Sequence, residues 1–272
     1  MLFRSGRPHV CRPPRRLLEA LDSGVNAAKV DKPDVRTDSR TKRLGRAARS
    51  LSHLWGIVRS AGVRGTLENC LAAFEDQMFD LRHHTATSGI VKLDELSISS
   101  PNRQLGHAYE PTRARALRYY LRTCEFPPES VFVDLGCGKG RALLVASHFA
   151  FKRVVGVEFS RELCDIARSN AQAHQRRRSD LAPVDVVQSD AAVYEIRPDE
   201  NVFFMFNPFG EEVLRRVVQN LSSCAARHGR PAWVICNNLL YPGAVESTGT
   251  FARQRIYKYG SSAFAEYTSL RP

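Results

Sequence analysis

Three glycines at alternate positions, Gly136, Gly138 and Gly140, follow directly on the apolar run Val131-Phe-Val-Asp-Leu135 and open a helical stretch. Glycine allows a backbone to turn sharply and to approach a ligand closely, and a helix start offers unpaired N–H groups. Asp134, just inside the end of the apolar run, can meet a positively charged group, and Cys137 stands within the glycine loop. The spacing G-x-G-x-G differs from the G-x-G-x-x-G of nicotinamide and flavin binders, which argues against an oxidoreductase. A plain structural turn is the competing reading. The strand-like Val-Asp-Leu in front of the glycines favours a ligand cradle.

A second acid, Glu158, ends the next apolar run, Val154-Val-Gly-Val-Glu158, about 20 residues beyond the glycines. An acid there can accept both hydrogen bonds of a ribose diol. Ser160 is the better residue to cap the helix that follows. Asp190, after Val186-Val-Gln-Ser189, can accept a bond from an adenine amino group while the Ala191 N–H meets a ring nitrogen, and it can also serve as a helix N-cap. Finally, Phe206-Asn207-Pro208-Phe209-Gly210 ends a fourth apolar run. In open α/β sheets ligands bind outside the strand carboxyl ends at the switch point, so Asn207 is expected beside the glycine loop. Its amide oxygen can receive a substrate N–H, and Phe209 can wall the acceptor. An ordinary Asn-Pro turn is the plain alternative.

These residues need elements to hold them. After Pro127-Pro128 the chain alternates strand-like runs with amphipathic helical runs. The strands are expected over residues 131–135, 153–158, 184–188, 202–206 and 232–237, and the helices over 141–149, 161–174 and 211–227. Such alternation implies a parallel sheet covered on both faces. The ending differs, because residues 251–259 and 263–270 alternate with a two-residue period around Gly260-Ser-Ser262, as a β-hairpin does. Upstream, helical spacing runs from 42 to 80, through Leu51, Leu54, Trp55 and Val58, then Leu67, Leu71, Phe74 and Met78. Residues 81–112 read as an ordered loop, and 112–124 as a helix.

Together these motifs resemble the class I S-adenosylmethionine-dependent methyltransferases, over about residues 105–270. Within that class, the run from Asp134 to Leu144, with Gly156-Val-Glu158 and Asn207-Pro-Phe-Gly-Glu-Glu-Val213, looks most like an uncharacterised bacterial group. That group is distantly similar to the telomeric-silencing type of histone H3 lysine methyltransferases. The resemblance implies a Rossmann-like seven-stranded α/β sheet of order 3-2-1-4-5-7-6, with the last strand antiparallel. It implies S-adenosyl-L-methionine as cofactor, held by Asp134, Gly136, Cys137, Gly138, Gly140, Glu158, Asp190, Ala191 and Asn207. Tyr109-Glu-Pro-Thr112 resembles the upstream loop that closes over the cofactor's methionine end, which adds Thr112 to the binding set and Tyr109 to the catalytic one. Asn207, Pro208 and Phe209 complete the catalytic candidates. The Asn207 motif lacks the second proline of the Asn-Pro-Pro-aromatic signature of many amino-group methyltransferases.

Composition bounds the rest. Of 272 residues 43% are hydrophobic and 25% charged, enough apolar matter for a core, and no apolar run reaches the roughly 18 residues of a membrane-spanning helix. Residues 1–50 hold ten Arg and three Lys against five acids, so +8 of the net +12 sits there. A basic extension of this kind is either solvated and poorly ordered or a contact for nucleic acid, an anionic membrane surface or an acidic protein. The expected organisation is a disordered extension over 1–40, a helical segment and loop over 41–104, and the methyltransferase domain over 105–272. Seven scattered cysteines without a CxxC pair suggest reduced thiols in the cytoplasm. His83-His84 could offer metal ligands, but adjacent surface histidines commonly stand free, so no metal is expected. The acceptor is expected to be an amine on a protein or small molecule; the alternatives are a nucleic-acid methyltransferase that uses the basic extension and a non-catalytic binding protein on the same fold. Because residues 1–40 carry neither periodicity nor motif, their deletion should leave cooperative thermal unfolding intact by calorimetry; loss of the transition would contradict that reading.

Overall fold

A computed structural model of the chain describes residues 71, 74, 75 and 77–270. The described residues all belong to one compact unit. The expected extension over 1–40 and the helical spacing before residue 71 lie outside the described residues.

Helix α1 occupies the described residues between 71 and 83, and two short 3-10 turns follow at Leu93–Glu95 and Pro101–Leu105. Then come α2 (Ala114–Leu121), β1 (Val131–Leu135), α3 (Arg141–Ala146), β2 (Arg153–Glu158), α4 (Arg161–Gln175) and β3 (Val184–Gln188). The second half holds β4 (Glu200–Met205), α5 (Glu211–His228), β5 (Trp233–Asn237), α6 (Pro242–Glu246), β6 (Phe251–Tyr259) and β7 (Ser262–Ser269). The seven strands form one sheet in the order β3-β2-β1-β4-β5-β7-β6. Strands β1 to β5 pair in parallel, and β7 runs antiparallel to both β5 and β6.

The apolar strands sort their side chains by the pleat. Val131, Val133 and Leu135 of β1 join Phe203 and Met205 of β4 in one core layer, under α5 and α6. Phe132 joins Val202 and Phe204 in the other, under α2 and α3. A continuous hydrophobic run therefore serves both faces, as expected of a central parallel strand. Helix ends follow local chemistry. The Ser160 hydroxyl accepts from Leu163 N–H at 3.3 Å to cap α4. Helix α5 begins with Glu211 and Glu212, ends with Arg227 and His228, and stops at Gly229 in the left-handed region (φ +58°).

Several elements differ in extent from the sequence reading; α2 covers 114–121 where 112–124 was expected, and α3 stops at Ala146 where 149 was expected. Strand β4 starts at Glu200, not Val202, because its polar residues are buried and satisfied. Asn201 Oδ1 accepts from Val131 N–H at 3.0 Å, and its Nδ2 donates to Ser130 Oγ at 3.1 Å. Glu200 receives Tyr194 O–H at 2.9 Å and Arg197 N–H at 3.0 Å. Helix α6, led by Pro242, was not expected, since five residues are too few to show a period.

The terminal hairpin is tied to α2 through a buried network. Tyr120 O–H donates to Glu266 Oε2 at 2.9 Å, and Arg255 Nε donates to the same oxygen at 2.7 Å. Tyr120 also stacks on Phe264 with centroids 4.7 Å apart. Tyr120→Phe keeps the stacking and removes one bond to a carboxylate. It should lower unfolding free energy by about 1.5–3 kcal/mol in urea titrations. An unchanged midpoint would show that the bond contributes nothing.

Candidate functional site

At the carboxyl ends of β1, β2 and β3 lies a cleft, the place where open α/β sheets bind ligands. Asp134, Glu158 and Asp190, one from each strand end, line it. The glycine loop forms its floor by lacking side chains. A Cβ on Gly136 (φ +87°) would lie 2.6 Å from Pro208 Cβ, and one on Gly138 (φ +53°) would lie 2.1 Å from the Tyr109 ring. Both positions combine a left-handed backbone with no room, so no other residue suits them. The backbone N–H groups of Gly136 and Cys137 both donate to Val157 O, at 2.8 and 3.0 Å. Gly140 caps α3 behind the loop and does not line the cleft.

Glu158 is 4% exposed. Its Oε2 accepts from Gly138 N–H and its Oε1 from Ser160 N–H, both at 2.9 Å. Burial raises its pKa, and these backbone bonds oppose the rise. Each oxygen retains a further acceptor site. Asp134 is 3% exposed and no hydrogen bond from a described residue reaches its carboxylate. Burial, with the Glu158 charge nearby, pushes its pKa well above the ordinary carboxylate value. A buried acid with no donor is costly unless a cation comes to it.

Asp190 is held differently. Its Oδ1 accepts from Ala192 N–H at 2.8 Å, while Oδ2 accepts from Asn102 Nδ2 at 2.8 Å and from the Ser100 hydroxyl. No helix follows Asp190 directly, so in place of the expected N-cap its carboxylate braces a turn over 190–193 and also ties down the 100–102 turn. Ala191 lines the cleft beside it, and no acceptor among the described residues takes its N–H.

The segment 85–112 straps across the loop. Tyr109 O–H donates to Thr87 O at 2.6 Å, and its backbone pairs with Val91. Thr87 is anchored in turn by Asp80, which accepts from Thr85 Oγ1, from Thr87 N–H and Oγ1, and from Ser88 N–H at 2.6–3.0 Å. Burial raises the Asp80 pKa, but these bonds outweigh it and hold the group below its ordinary value. Arg141, 1% exposed, joins the anchor through Nε to Thr87 Oγ1 at 2.7 Å. Sequence reading missed Asp80, Thr87, Ser100, Asn102 and Arg141. Ser99-Ser100-Pro101-Asn102 carries turn chemistry within the expected loop, but its partner lies 88–90 residues away.

The post-β4 loop comes into the site unevenly. Phe206, Pro208 and Phe209 line the cleft with Tyr109 and Thr112, whereas Asn207 does not. Asn207 has φ +42°, and its carbonyl accepts from His107 Nδ1 at 2.7 Å. His107 N–H donates to Pro208 O at 3.0 Å, and Gly210 N–H donates to Leu105 O at 2.7 Å. These bonds fix the loop to the strap and leave its apolar residues facing the cleft. His83 and His84 separate, His83 half-buried at the end of α1 and His84 exposed.

Residues 132–229 match the family described as a methyltransferase domain. A histone-lysine N-methyltransferase of Dictyostelium discoideum, H3 lysine-79 specific, is 31% identical over 150 residues, which is 51% of this chain. The chain spans 8% of the length of that relative. An RNA methyltransferase from Salinibacter ruber, solved with S-adenosyl-L-homocysteine, is 23% identical, with 59% of this chain and 94% of that one covered and a TM-score of 0.44. A SAM-dependent methyltransferase from Aquifex aeolicus is 16% identical, covering 58% and 93%, with a TM-score of 0.45.

Asp134 gives the cleft a measurable signature. Its folded-state pKa lies above the unfolded value, so the folded protein binds the extra proton. Stability from this group is therefore present at low pH and lost as pH rises from about 4 toward the raised pKa. Asp134→Asn should flatten that fall in the ligand-free protein, read as melting temperature against pH between 4 and 8. A profile identical to the parent's would show that Asp134 is not held in an unfavourable ionised state.

Proposed function

We propose that the chain acts as a class I S-adenosylmethionine-dependent methyltransferase and that it delivers the methyl group to a nitrogen acceptor, a lysine-type amine on a protein or a small-molecule amine. The observation that carries this reading is the acid at the rim of the cleft. Asp134, Glu158 and Asp190 suit the cofactor, which leaves Glu110 as the lining carboxylate open to an acceptor, and the one lining arginine, Arg141, is already engaged by Thr87 and Ser88. An acid in that place attracts an amine, whereas an enzyme acting on flipped bases needs a basic concave face. The curated relative named for lysine 79 of histone H3 supports the same acceptor chemistry.

The site's donors and acceptors fit the cofactor. Asp134, without a donor of its own, suits a cationic group. The spare acceptor sites of Glu158 suit a ribose diol, and Asp190 with the Ala191 N–H suits an adenine edge. When bound, S-adenosylmethionine supplies a methyl carbon made electrophilic by its sulfonium. The chain's own part is alignment and exclusion of water. Tyr109, Phe206, Pro208 and Phe209 wall the cleft with ring faces and apolar surface. Methyl transfer breaks the sulfur–carbon bond as the nitrogen–carbon bond forms, leaving a neutral thioether and a proton on the product amine. Of the basic candidates, Tyr109 already donates its hydroxyl to Thr87, and the Asn207 carbonyl is taken by His107. Glu110, exposed at the rim, is the group left to accept a hydrogen bond from the incoming amine and to take up its proton.

Cytoplasmic residence goes with this reading, because the five described cysteines are all unpaired. No described helix is long and apolar enough to cross a membrane.

Incubating the protein with methyl-labelled cofactor and cell lysate should place the label in protein or small amines. Label confined to nucleic acid would overturn the acceptor assignment. With an acceptor in hand, Glu110→Gln should lower kcat/KM by about ten- to a hundredfold while cofactor affinity holds. Unchanged turnover would remove Glu110 from the mechanism.

A further inference from the structure

Away from the cleft, three histidines from three separate elements converge. His83 ends α1, His148 follows α3, and His174 sits in the last turn of α4. One ring nitrogen of each lies within 4.8 Å of one from each of the others. The ring centroids are 4.9 Å apart for His83 and His174, 5.0 Å for His148 and His174, and 5.9 Å for His83 and His148. We propose that this cluster is a binding site for a divalent transition-metal ion of the zinc type, with His83, His148 and His174 as its three protein ligands.

A further observation supports it. The Nε2 atoms of His148 and His174 are buried and lack any hydrogen-bond partner among the described residues, and His174 is only 4% exposed. Buried polar nitrogens without partners are rare, because each one costs the water it has lost. A cation bound through these nitrogens would satisfy both. Tetrahedral zinc with bonds of about 2.0–2.1 Å would hold the nitrogens about 3.3–3.4 Å apart. Closing in from 4.8 Å asks for only small ring movements.

The surroundings shape the fourth position. Arg82, Arg118, Arg122 and Arg178 line a pocket shared with His83 and His148. Their charge disfavours a bare cation and favours an anionic fourth ligand, which would bring the centre closer to neutrality. Three neutral imidazoles and one small anion, hydroxide or chloride, is a balanced set for zinc. Arg178 is itself paired with Asp180, which lessens the local excess.

The position implies a bracing role. Helices α3 and α4 begin at Gly140 and Ser160 beside the cleft, and their far ends carry His148 and His174. Across the 15 residues of α4 the separation is about 20 Å, too far for the metal to touch a ligand in the cleft. What it would join is α1 to α3 and α4. Asp80 lies one turn before His83 on α1 and anchors the strap that carries Tyr109. A metal clamp at His83 therefore steadies the anchor of the strap.

The test uses the full chain, stripped with a chelator and titrated with zinc chloride, then with cobalt(II) as a coloured stand-in. One equivalent of zinc should bind and raise the melting temperature, and cobalt(II) should give the strong visible absorption of a tetrahedral site. His83→Ala, His148→Ala and His174→Ala should each weaken binding by at least about a hundredfold. In the metal-free state all three should still unfold cooperatively, which separates loss of a ligand from loss of the fold. His84→Ala should bind as the parent does. A parent chain that takes up no stoichiometric metal would overturn the proposal. So would single variants that bind as well as the parent, or dependence on His84.

Discussion

One buried carboxylate holds the functional end of the molecule together. Glu158 accepts from Gly138 in the glycine loop and from Ser160 at the start of α4. Strand β2, the loop after β1 and the first turn of α4 are thereby fixed to a single group. The loop itself cannot carry side chains, since Pro208 presses on Gly136 and Tyr109 on Gly138. Register does the rest: Asp134 of β1 pairs with Gly156 of β2, where a side chain would meet Cys137 Sγ at 2.7 Å. Strand ends, loop and strap approach one another as closely as bare backbone allows. The space that remains is lined by acids.

The strap depends on polar anchoring rather than on burial of apolar surface. Tyr109 is positioned by Thr87, Thr87 by Asp80 and Arg141, and the 100–102 turn by Asp190. Asp80 keeps its charge at low pH because four donors converge on it. Segments of this kind belong to the low-stability end of a fold, since few apolar contacts hold them. A ligand in the cleft would contact both the strap and the strand ends. It would thus stabilise the closed arrangement in proportion to its occupancy.

Much of this was legible in the sequence, for stated reasons. Continuous apolar runs broken by amphipathic helices forced a parallel sheet, and the period-two ending forced the hairpin. The glycine loop and the acids at 134, 158 and 190 were visible because one strand end after another delivers a polar residue to the same edge. The strap was not visible. Its contacts span 22 residues from Tyr109 to Thr87, 54 from Arg141 to Thr87 and 88 from Asn102 to Asp190, and no local period encodes them. Asn207 was expected to face the cleft from its place after β4. A left-handed turn at Asn207 gives its carbonyl to His107 and leaves Pro208 and Phe209 as the lining residues. The histidines failed in another way: His83 was read with its neighbour His84, whereas its spatial companions stand 65 and 91 positions later.

Both ends of the domain share one physical logic. A parallel α/β layer sends every strand's carboxyl end and every following helix's first turn to one edge, and the helix ends to the other. Side chains that converge at either edge come from distant positions and are surrounded by backbone termini rather than by complementary side chains. At the upper edge this leaves Asp134 buried without a donor. At the lower edge it leaves two imidazole nitrogens buried without partners. Elsewhere Asn201 and Glu200 engage several partners each, while Arg153 Nε and Asn237 Oδ1 stay unpaired as single atoms. Leaving a buried polar atom unpaired costs about 1–3 kcal/mol, a sizeable share of a domain's marginal stability. What sets the two edges apart is convergence: at the histidines the unpaired nitrogens of separate elements meet, and at Asp134 the acid faces a cleft. A single partner from outside the chain would therefore match each, a cation at Asp134 and a cation of another kind at the histidines.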